Sequence, residues 1–146
     1  MSTINYDIMN IKNQLCFPLY AASKEVIRRY RPFLEKLDLT YTQYITMMIF
    51  WQDKKMNVKE LGEKIFLDSG TLTPVLKNLE AKGYVKRYRS TEDERVLIVE
   101  LTPEGEALKE RAADIPKQVA ECIDLSFEEA QQLHNLLNKL LLQITE

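Results

Sequence analysis

Apolar residues recur at alternating steps of three and four near both ends of the chain, which is the spacing of an amphipathic helix. In the N-terminal segment the repeating positions are Leu15, Leu19, Ala22, Val26, Tyr30, Phe33 and Leu37. In the C-terminal segment a broader apolar face contains Leu133, Leu136, Leu137, Leu140, Leu141 and Ile144. Together with capping signals, the pattern predicts helices over 6–37, 41–52, 58–64, 69–82, 103–120 and 127–145.

The starts and ends of these helices carry recognisable signals. Capping boxes, in which a small polar residue is followed three positions later by Glu or Gln, are formed by Thr40 with Gln43, Asn57 with Glu60 and Ser126 with Glu129. Thr102 before Pro103 is typical of a cap followed by a first-turn proline. Gly83 stands where a helix ending near Lys82 requires left-handed geometry.

Between residues 84 and 101 the pattern changes to short runs rich in β-branched and aromatic residues. Tyr84–Ser90 and Arg95–Leu101 are separated by a polar segment, 91–94, which predicts a β-hairpin. Three short helices followed by a hairpin is the order of a winged helix-turn-helix, whose third helix enters the DNA major groove. The predicted fold class is therefore mainly α with a small β-hairpin wing.

The two flanking helical parts have more apolar surface than one small winged domain needs. We expect them to pack against those of a second copy, which would place two reading helices on successive half-sites of operator DNA. A helical hairpin that folds back on the same chain is the alternative. The predicted organisation is a single domain, 1–146, with a winged helix-turn-helix at 40–101 and dimerisation helices at 6–38 and 103–146.

The composition favours a soluble folded protein, since 29% of the 146 residues are charged and 45% are hydrophobic. The longest nearly apolar run, Tyr44–Trp51, is too short to cross a membrane, and no secretory signal is visible, so we expect a cytoplasmic protein. Two cysteines and one histidine provide neither a disulfide scaffold nor an ordinary zinc site, and no metal or cofactor is expected.

The charge is distributed unevenly, although its formal sum is only -2. Residues 77–89 include five basic side chains against Glu80, a net charge of +4, whereas 104–146 include nine acidic and four basic ones, a net charge of -5. A basic middle and an acidic end predict one polyanion-binding face on an acidic body. A merely solvated surface is the alternative.

The segment 69–82 is the candidate recognition helix. Leu72, Val75, Leu76 and Leu79 form one apolar stripe, which leaves Ser69, Thr71, Thr73, Pro74 and Lys77 to face outward. Small hydroxyl side chains approach bases and phosphates closely, so these five residues are predicted to contact DNA. Local rules favour Thr73 as a helix cap with Pro74 in the first turn, because a proline inside the helix loses one hydrogen bond.

The predicted hairpin adds a basic wing. Arg87, Arg89 and Arg95 are candidate DNA contacts, and Asp93 is placed to hold Arg95 in position. Arginine at a wing tip can enter a minor groove or bind phosphate. An ordinary surface salt bridge between Asp93 and Arg95 is the alternative.

Several runs resemble the MarR family of winged-helix repressors. They are Leu67-Asp-Ser-Gly-Thr-Leu-Thr-Pro74, Asp93-Glu-Arg95 and Leu101-Thr-Pro-Glu-Gly105. Asn13-Gln-Leu-Cys-Phe17 and Leu39-Thr-Tyr-Thr-Gln-Tyr44 are similar to the OhrR subgroup, the repressors that sense organic hydroperoxides. The resemblance extends from about Asn13 into the last helix. It implies that Pro74 lies inside the recognition helix, contrary to the local capping rule.

Cys16 borders the apolar stripe of the first helix, where a cysteine is more often part of a core than a sensor. Phenols at Tyr20, Tyr30, Tyr41 and Tyr44 lie nearby in sequence, and phenolic hydroxyls that donate to sulfur stabilise the thiolate that attacks a peroxide. Tyr30 is 14 residues from Cys16. On one helix this is roughly 21 Å, so a contact between them requires a second subunit.

The resemblance implies that Cys16 is the reactive cysteine and that Tyr30 and Tyr41 are the tyrosines that hydrogen-bond it. Cys122 lies in the region where some OhrR relatives have a resolving cysteine that forms a disulfide with the partner subunit. In other relatives a small thiol traps the sulfenic acid. For Cys122 both an intersubunit disulfide with Cys16 and a bystander role stay open.

The expected function is that of a dimeric, redox-sensing transcriptional repressor and not of an enzyme. Organic or lipid hydroperoxides would oxidise Cys16, release operator DNA and allow a peroxide-detoxifying gene to be expressed. One alternative is a MarR-type repressor released by a phenolic or other small ligand, and another is a broader oxidant-sensing global regulator. A thiol peroxidase is a third, which would leave the basic wing without a purpose.

Overall fold

The structure, a computed structural model, describes residues 3–145 and confirms the predicted fold class. Two short 3-10 turns, Tyr6–Met9 and Ile11–Asn13, precede the first α-helix. The α-helices are α1 (Cys16–Glu35), α2 (Tyr41–Asp53), α3 (Val58–Ile65), α4 (Ser69–Ala81), α5 (Pro103–Ala112), α6 (Ile115–Ala120) and α7 (Phe127–Ile144). The strands are β1 (Lys55–Asn57), β2 (Val85–Arg89) and β3 (Leu97–Leu101).

The first helix is shorter than the predicted 6–37, because asparagines interrupt its N-terminal part. The side chains of Asn5 and Asn10 accept hydrogen bonds from the backbone two residues ahead and start a separate turn each time. Such local bonds compete with a continuous helix. The α-helix begins at Cys16, which puts Pro18 in the first turn, where the missing N–H of proline costs no helical hydrogen bond.

The capping signals are confirmed. All three capping boxes have both of their reciprocal hydrogen bonds, at the starts of α2, α3 and α7. The hydroxyl of Thr102 caps α5, whose first residue is Pro103. Gly83 has φ +84° in the turn after α4. These contacts join residues that are close in sequence, so local residue types determine them.

The local prediction of a helix start at Thr73 is wrong, and Pro74 lies inside α4 as the family resemblance implies. Asp68 is the cap, because its side chain accepts a hydrogen bond of 2.7 Å from the N–H of Thr71. The four apolar residues of α4 form the buried stripe that the sequence predicts, and Leu72 and Leu79 are fully buried. Their burial outweighs the one backbone hydrogen bond that proline removes.

The wing is a three-stranded antiparallel sheet in the order β1-β3-β2, with one strand more than the predicted hairpin. Met56 of β1 is paired with Val99 of β3, which is paired in turn with Arg87 of β2. Residues directly opposite one another share a face of the sheet. This set therefore faces the helices, and Met56 and Val99 join the core.

The core lies between α2, α3, α4 and the inner face of the sheet. Its largest fully buried side chains include Met47, Phe50, Leu61, Leu72, Leu76, Leu79, Val85 and Val99. Because α4 buries one stripe here, its opposite face is fixed toward solvent.

The chain has two compact units, one up to Ile115 and a second from Pro116 onward. The predicted helix 103–120 is interrupted after Ala112, and α6 begins at Ile115. Pro116 explains the break, since its ring would clash with the carbonyl of residue 112 in a continuous helix. None of the helices within 3–145 is long and apolar enough to span a membrane.

The start of α5 lies unusually close to the start of the wing. A Cβ atom on Gly105 would stand 2.1 Å from the backbone oxygen of Tyr84 and 2.7 Å from a methyl group of Leu101. The carbonyl oxygen of Gly105 also accepts a hydrogen bond of 2.9 Å from the indole Nε1–H of Trp51. Position 105 therefore has room for glycine alone.

We expect Gly105→Ala to lower the free energy of unfolding by about 2–3 kcal/mol, because the new methyl group would push α5 away from Tyr84. Urea unfolding followed by circular dichroism measures the change. Gly70→Ala is the matched control, since Gly70 also lies in a first helical turn and its Cβ would meet only the Asp68 carboxylate, at 3.3 Å. A stability for Gly105→Ala equal to that of this control would contradict the close contact.

Candidate functional site

The outer face of α4 presents the five residues that the sequence predicts for DNA contact. Ser69, Thr71, Thr73, Pro74 and Lys77 are all exposed, outside the buried stripe of the helix. The first four form a small, uncharged surface at the start of the helix, and Lys77 adds a cation one turn later. This shape suits entry into a major groove.

Thr73 differs from the other hydroxyl residues of this surface. Its Oγ1 donates a hydrogen bond of 2.7 Å to the carbonyl oxygen of Ser69 within the helix. With its proton engaged, the hydroxyl of Thr73 retains only its acceptor capacity toward a ligand. On DNA it is therefore suited to the exocyclic amino groups of adenine or cytosine.

Arg87 is directed away from the outer surface of the wing. Its guanidinium donates to the Glu80 carboxylate of α4 with an N–O distance of 3.1 Å, and its backbone N–H donates to the same carboxylate at 2.9 Å. Its side chain is only 20% exposed. The structure thus places Arg87 between the wing and the recognition helix, apart from the other two arginines.

Arg89 and Arg95 are exposed on the wing, and Arg95 is held at its tip by Asp93. The Asp93 carboxylate accepts from the backbone N–H of Arg95 at 3.0 Å and from its guanidinium at 3.2 Å. These bonds to Arg95 lower the pKa of Asp93, because they favour the charged carboxylate that accepts them. The side chain of Arg95 is nevertheless 91% exposed, and its guanidinium has free donors for phosphate or a minor groove.

Cys16 is the first residue of α1, and its side chain is exposed. Helix N-termini stabilise negative charge. Tyr20 is also exposed and lies four residues further on, so it shares a face of the helix with Cys16. Tyr30 is on the same helix, so a rise of about 1.5 Å per residue puts roughly 21 Å between it and Cys16 within one chain.

Tyr30 and Tyr41 contact each other, with ring centroids 4.9 Å apart. Tyr44 completes a three-phenol cluster, at 5.8 Å from Tyr30 and 6.4 Å from Tyr41. Burial raises the pKa of all three, that of Tyr44 to about 12. The hydroxyls, which would be protonated at neutral pH even without this shift, are hydrogen-bond donors.

Sequence reasoning noted Tyr44 among the nearby phenols but assigned it no role, and it assigned none to Trp51. The ring of Tyr44 packs edge-on against Trp51 at 6.5 Å, and both side chains are buried. The seven-residue spacing from Tyr44 to Trp51, two turns on one face of α2, is the signal that could have linked them. The indole hydrogen bond to Gly105 has no counterpart in the sequence pattern.

Cys122 belongs to the second unit and follows α6. Its side chain is exposed, and its Sγ lies 3.4 Å from the backbone oxygen of Gln118. Within residues 3–145 no cluster of three or more histidine, cysteine or acidic side chains could hold a metal ion.

The family model described as transcriptional regulator SarA/Rot matches residues 28–112. The organic hydroperoxide resistance transcriptional regulator of Bacillus subtilis is 46% identical over 136 residues, covering 93% of this chain and 92% of the relative. The HTH-type transcriptional regulator SarZ of Staphylococcus haemolyticus is 50% identical over 127 residues, covering 87% and 86% of the two chains.

Among solved structures, reduced AbfR bound to DNA superposes with a TM-score of 0.78 at 31% identity, over 98% of this chain and 100% of that one. AbfR is a protein of Staphylococcus epidermidis, and its structures also include an overoxidised form bound to DNA and a disulfide-formed one. The matched family model, the identity to these relatives and the shared winged fold show that the chain belongs to the SarA/Rot and MarR-type family of DNA-binding transcriptional regulators.

Proposed function

We propose that this regulator is a homodimeric repressor whose DNA binding is switched off by oxidation of Cys16. The observation that carries the proposal is that an exposed thiol and a pair of phenols lie near opposite ends of α1. An exposed Cys16 lies at the start of the helix, and the Tyr30–Tyr41 pair lies near its end. The names of the hydroperoxide regulator and of the oxidised AbfR structures support the same chemistry.

A second copy of the chain would complete this site. Antiparallel packing of two α1 helices would bring Tyr30 and Tyr41 of the partner subunit to Cys16, and a twofold axis would create the site twice. Exposed apolar side chains around Cys16 favour such packing, since Leu15 is 77% and Phe17 is 47% exposed. Leu136 and Ile144 on α7 are also largely exposed, which supports the assignment of the C-terminal helices to the dimer interface.

The proposed chemistry is a two-electron oxidation. The Cys16 thiolate attacks the terminal oxygen of an organic or lipid hydroperoxide, so that an S–O bond forms and the O–O bond breaks. The organic part leaves as an alkoxide and takes a proton to become the alcohol. Phenolic hydroxyls of the partner subunit stabilise the thiolate before the attack. Cys16 is then a sulfenic acid.

Cys122 is the proposed resolving residue. Its thiolate would attack the sulfenic sulfur of Cys16 on the partner subunit, form the disulfide and release the oxygen as water. Such an intersubunit bond would change the spacing of the two recognition helices and lower the affinity for an operator with two half-sites. A peroxide-detoxifying gene under this operator would then be expressed.

We expect Cys16→Ser to bind DNA as tightly as the wild type, within about threefold, but to remain bound after peroxide treatment. Binding is measured by fluorescence anisotropy, with a duplex that the reduced protein has selected from a random-sequence pool. One equivalent of cumene hydroperoxide is added to each protein. If peroxide releases DNA from Cys16→Ser at the wild-type rate, the redox mechanism is wrong and a repressor controlled by a small ligand is favoured.

The role of Cys122 requires a separate measurement. After the same peroxide treatment we expect a covalent dimer on a non-reducing gel, with a Cys16–Cys122 linkage identified by mass spectrometry. Cys122→Ser should give a monomer with oxidised Cys16, because the resolving thiol is absent. If the wild type also gives only this monomer, the sensor stands and Cys122 is a bystander.

We expect Arg95→Ala to weaken binding to the selected duplex by about tenfold and to reduce the slope of log K against log salt by about 1. The reason is that the exposed guanidinium at the wing tip would neutralise one phosphate. Lys109→Ala is the control, since Lys109 is an exposed cation on α5, outside the predicted DNA-binding surface. Equal salt slopes for Arg95→Ala and the wild type would exclude a phosphate contact at this position.

A further inference from the structure

We infer that Trp51 connects the phenol cluster to the start of the wing. The structural change caused by oxidation of Cys16 would reach the DNA-binding surface through Tyr44, Trp51 and Gly105. The inference rests on the proposed function and assigns positioning roles to two residues, Tyr44 and Trp51. Neither residue would touch the peroxide or the reacting sulfur. Their effect would be on what the oxidised sensor does to the wing.

The first step of this route is contact between rings. Tyr30 and Tyr41, the proposed partners of the sulfur, both lie against Tyr44, which is only 3% exposed. A ring enclosed to this degree cannot stay in place when two of its neighbours move, because protein interiors are close-packed. Any displacement of the Tyr30–Tyr41 pair therefore acts on Tyr44.

The second step runs along one face of α2. The edge of one ring meets the face of the other at an interplanar angle of 71° between Tyr44 and Trp51, an orientation that aromatic pairs favour. The two residues are two helical turns apart on a rigid element. Movement at Tyr44 can thus pass to the indole directly or through the body of the helix.

The third step is a chain of hydrogen bonds from Trp51 to the turn between α4 and β2. The indole Nε1–H of Trp51 donates to the carbonyl oxygen of Gly105 in a buried hydrogen bond of 2.9 Å. The N–H of Gly105 in turn donates to the hydroxyl of Thr102 at 3.0 Å, and this hydroxyl donates to the carbonyl oxygen of Gly83 at 2.6 Å. Gly83 joins the end of α4 to the start of β2. The indole is thereby linked to both DNA-binding elements.

At Gly105 the backbone of α5 is packed tightly against the start of the wing. The missing Cβ lets the backbone of α5 approach the oxygen of Tyr84, where an added methyl would stand at 2.1 Å. Thr102 also donates its backbone N–H to the same oxygen at 3.1 Å. A shift of Gly105 must therefore shift the first residues of the wing. Contiguous packing of this kind can transmit a signal, and a coupling measurement decides whether it does.

Trp51 is the single tryptophan of the chain, so its fluorescence reports on this link in the unmodified protein. We expect the indole emission to change after one equivalent of cumene hydroperoxide, with the same rate constant as Cys16 oxidation followed by mass spectrometry. Cys16→Ser should show no change. An emission that stays constant while Cys16 is oxidised and DNA is released would overturn the inference and leave the proposed function intact.

A variant tests the coupling itself. Trp51→Phe retains an aromatic ring but removes the indole N–H, so the loss of DNA affinity on oxidation should be at least about fivefold smaller than in the wild type. The oxidation rate of Cys16 and the affinity of the reduced protein should stay within about threefold of wild-type values. Leu108→Met, a volume-conserving change at a buried residue of α5, controls for simple destabilisation.

The outcomes separate the two proposals. If Trp51→Phe releases DNA on oxidation as fully as the wild type and Leu108→Met, the route through the indole is wrong. If wild-type Cys16 is not oxidised, or its oxidation does not release DNA, the proposed function fails and the inference fails with it. Thermal unfolding of each variant verifies that the comparison is made between folded proteins.

Discussion

The close approach of α5 to the root of the wing is the constraint on which the rest of the structure depends. Gly105 permits it, because any side chain there would collide with the backbone of Tyr84. The hydroxyl of Thr102 then bridges α5 to Gly83, which lies in the turn between α4 and β2. One junction therefore links three elements, α5, α4 and β2. A regulator with such a junction would change its DNA affinity by moving α4, α5 and the wing together rather than by bending one of them.

The ion pair with Glu80 separates Arg87 from the other two arginines of the wing. Arg87 is opposite Val99 on the inner face of the sheet, where Glu80 of the recognition helix takes its guanidinium. Arg89 and Arg95 stay exposed. The sequence predicts a basic hairpin but treats the three residues alike, since charge counting does not show which arginine meets Glu80. The ion pair of Arg87 supports the proposed interface indirectly, by holding the wing against α4.

The fold was predictable from sequence where short-range chemistry determines it. Capping boxes, a helix-ending glycine and the apolar stripe of α4 involve residues within one or two turns, and the structure has each of them. Strand β1 was missed because it has three residues and is defined only by pairing with β3, more than 40 positions away. Pro74 required the family resemblance, since the burial of the α4 stripe overrides the local rule. Of the candidate site, the sequence indicated Cys16 and the phenols but not the indole link to Gly105, which depends on two helices meeting in space.

In the proposed mechanism, the length of α1 means that the sensor site forms only between two subunits. A helix rises about 1.5 Å per residue, so no rotamer of Tyr30 can cover the distance to Cys16 within the same subunit. A phenol is protonated at neutral pH, and burial raises the pKa of Tyr30 and Tyr41 further, so both remain donors for a sulfur anion from another chain. A monomer would keep the thiol and the phenols but never combine them. Peroxide reactivity and operator binding would then both require the dimer, and the repressor would sense oxidant in the form that occupies DNA.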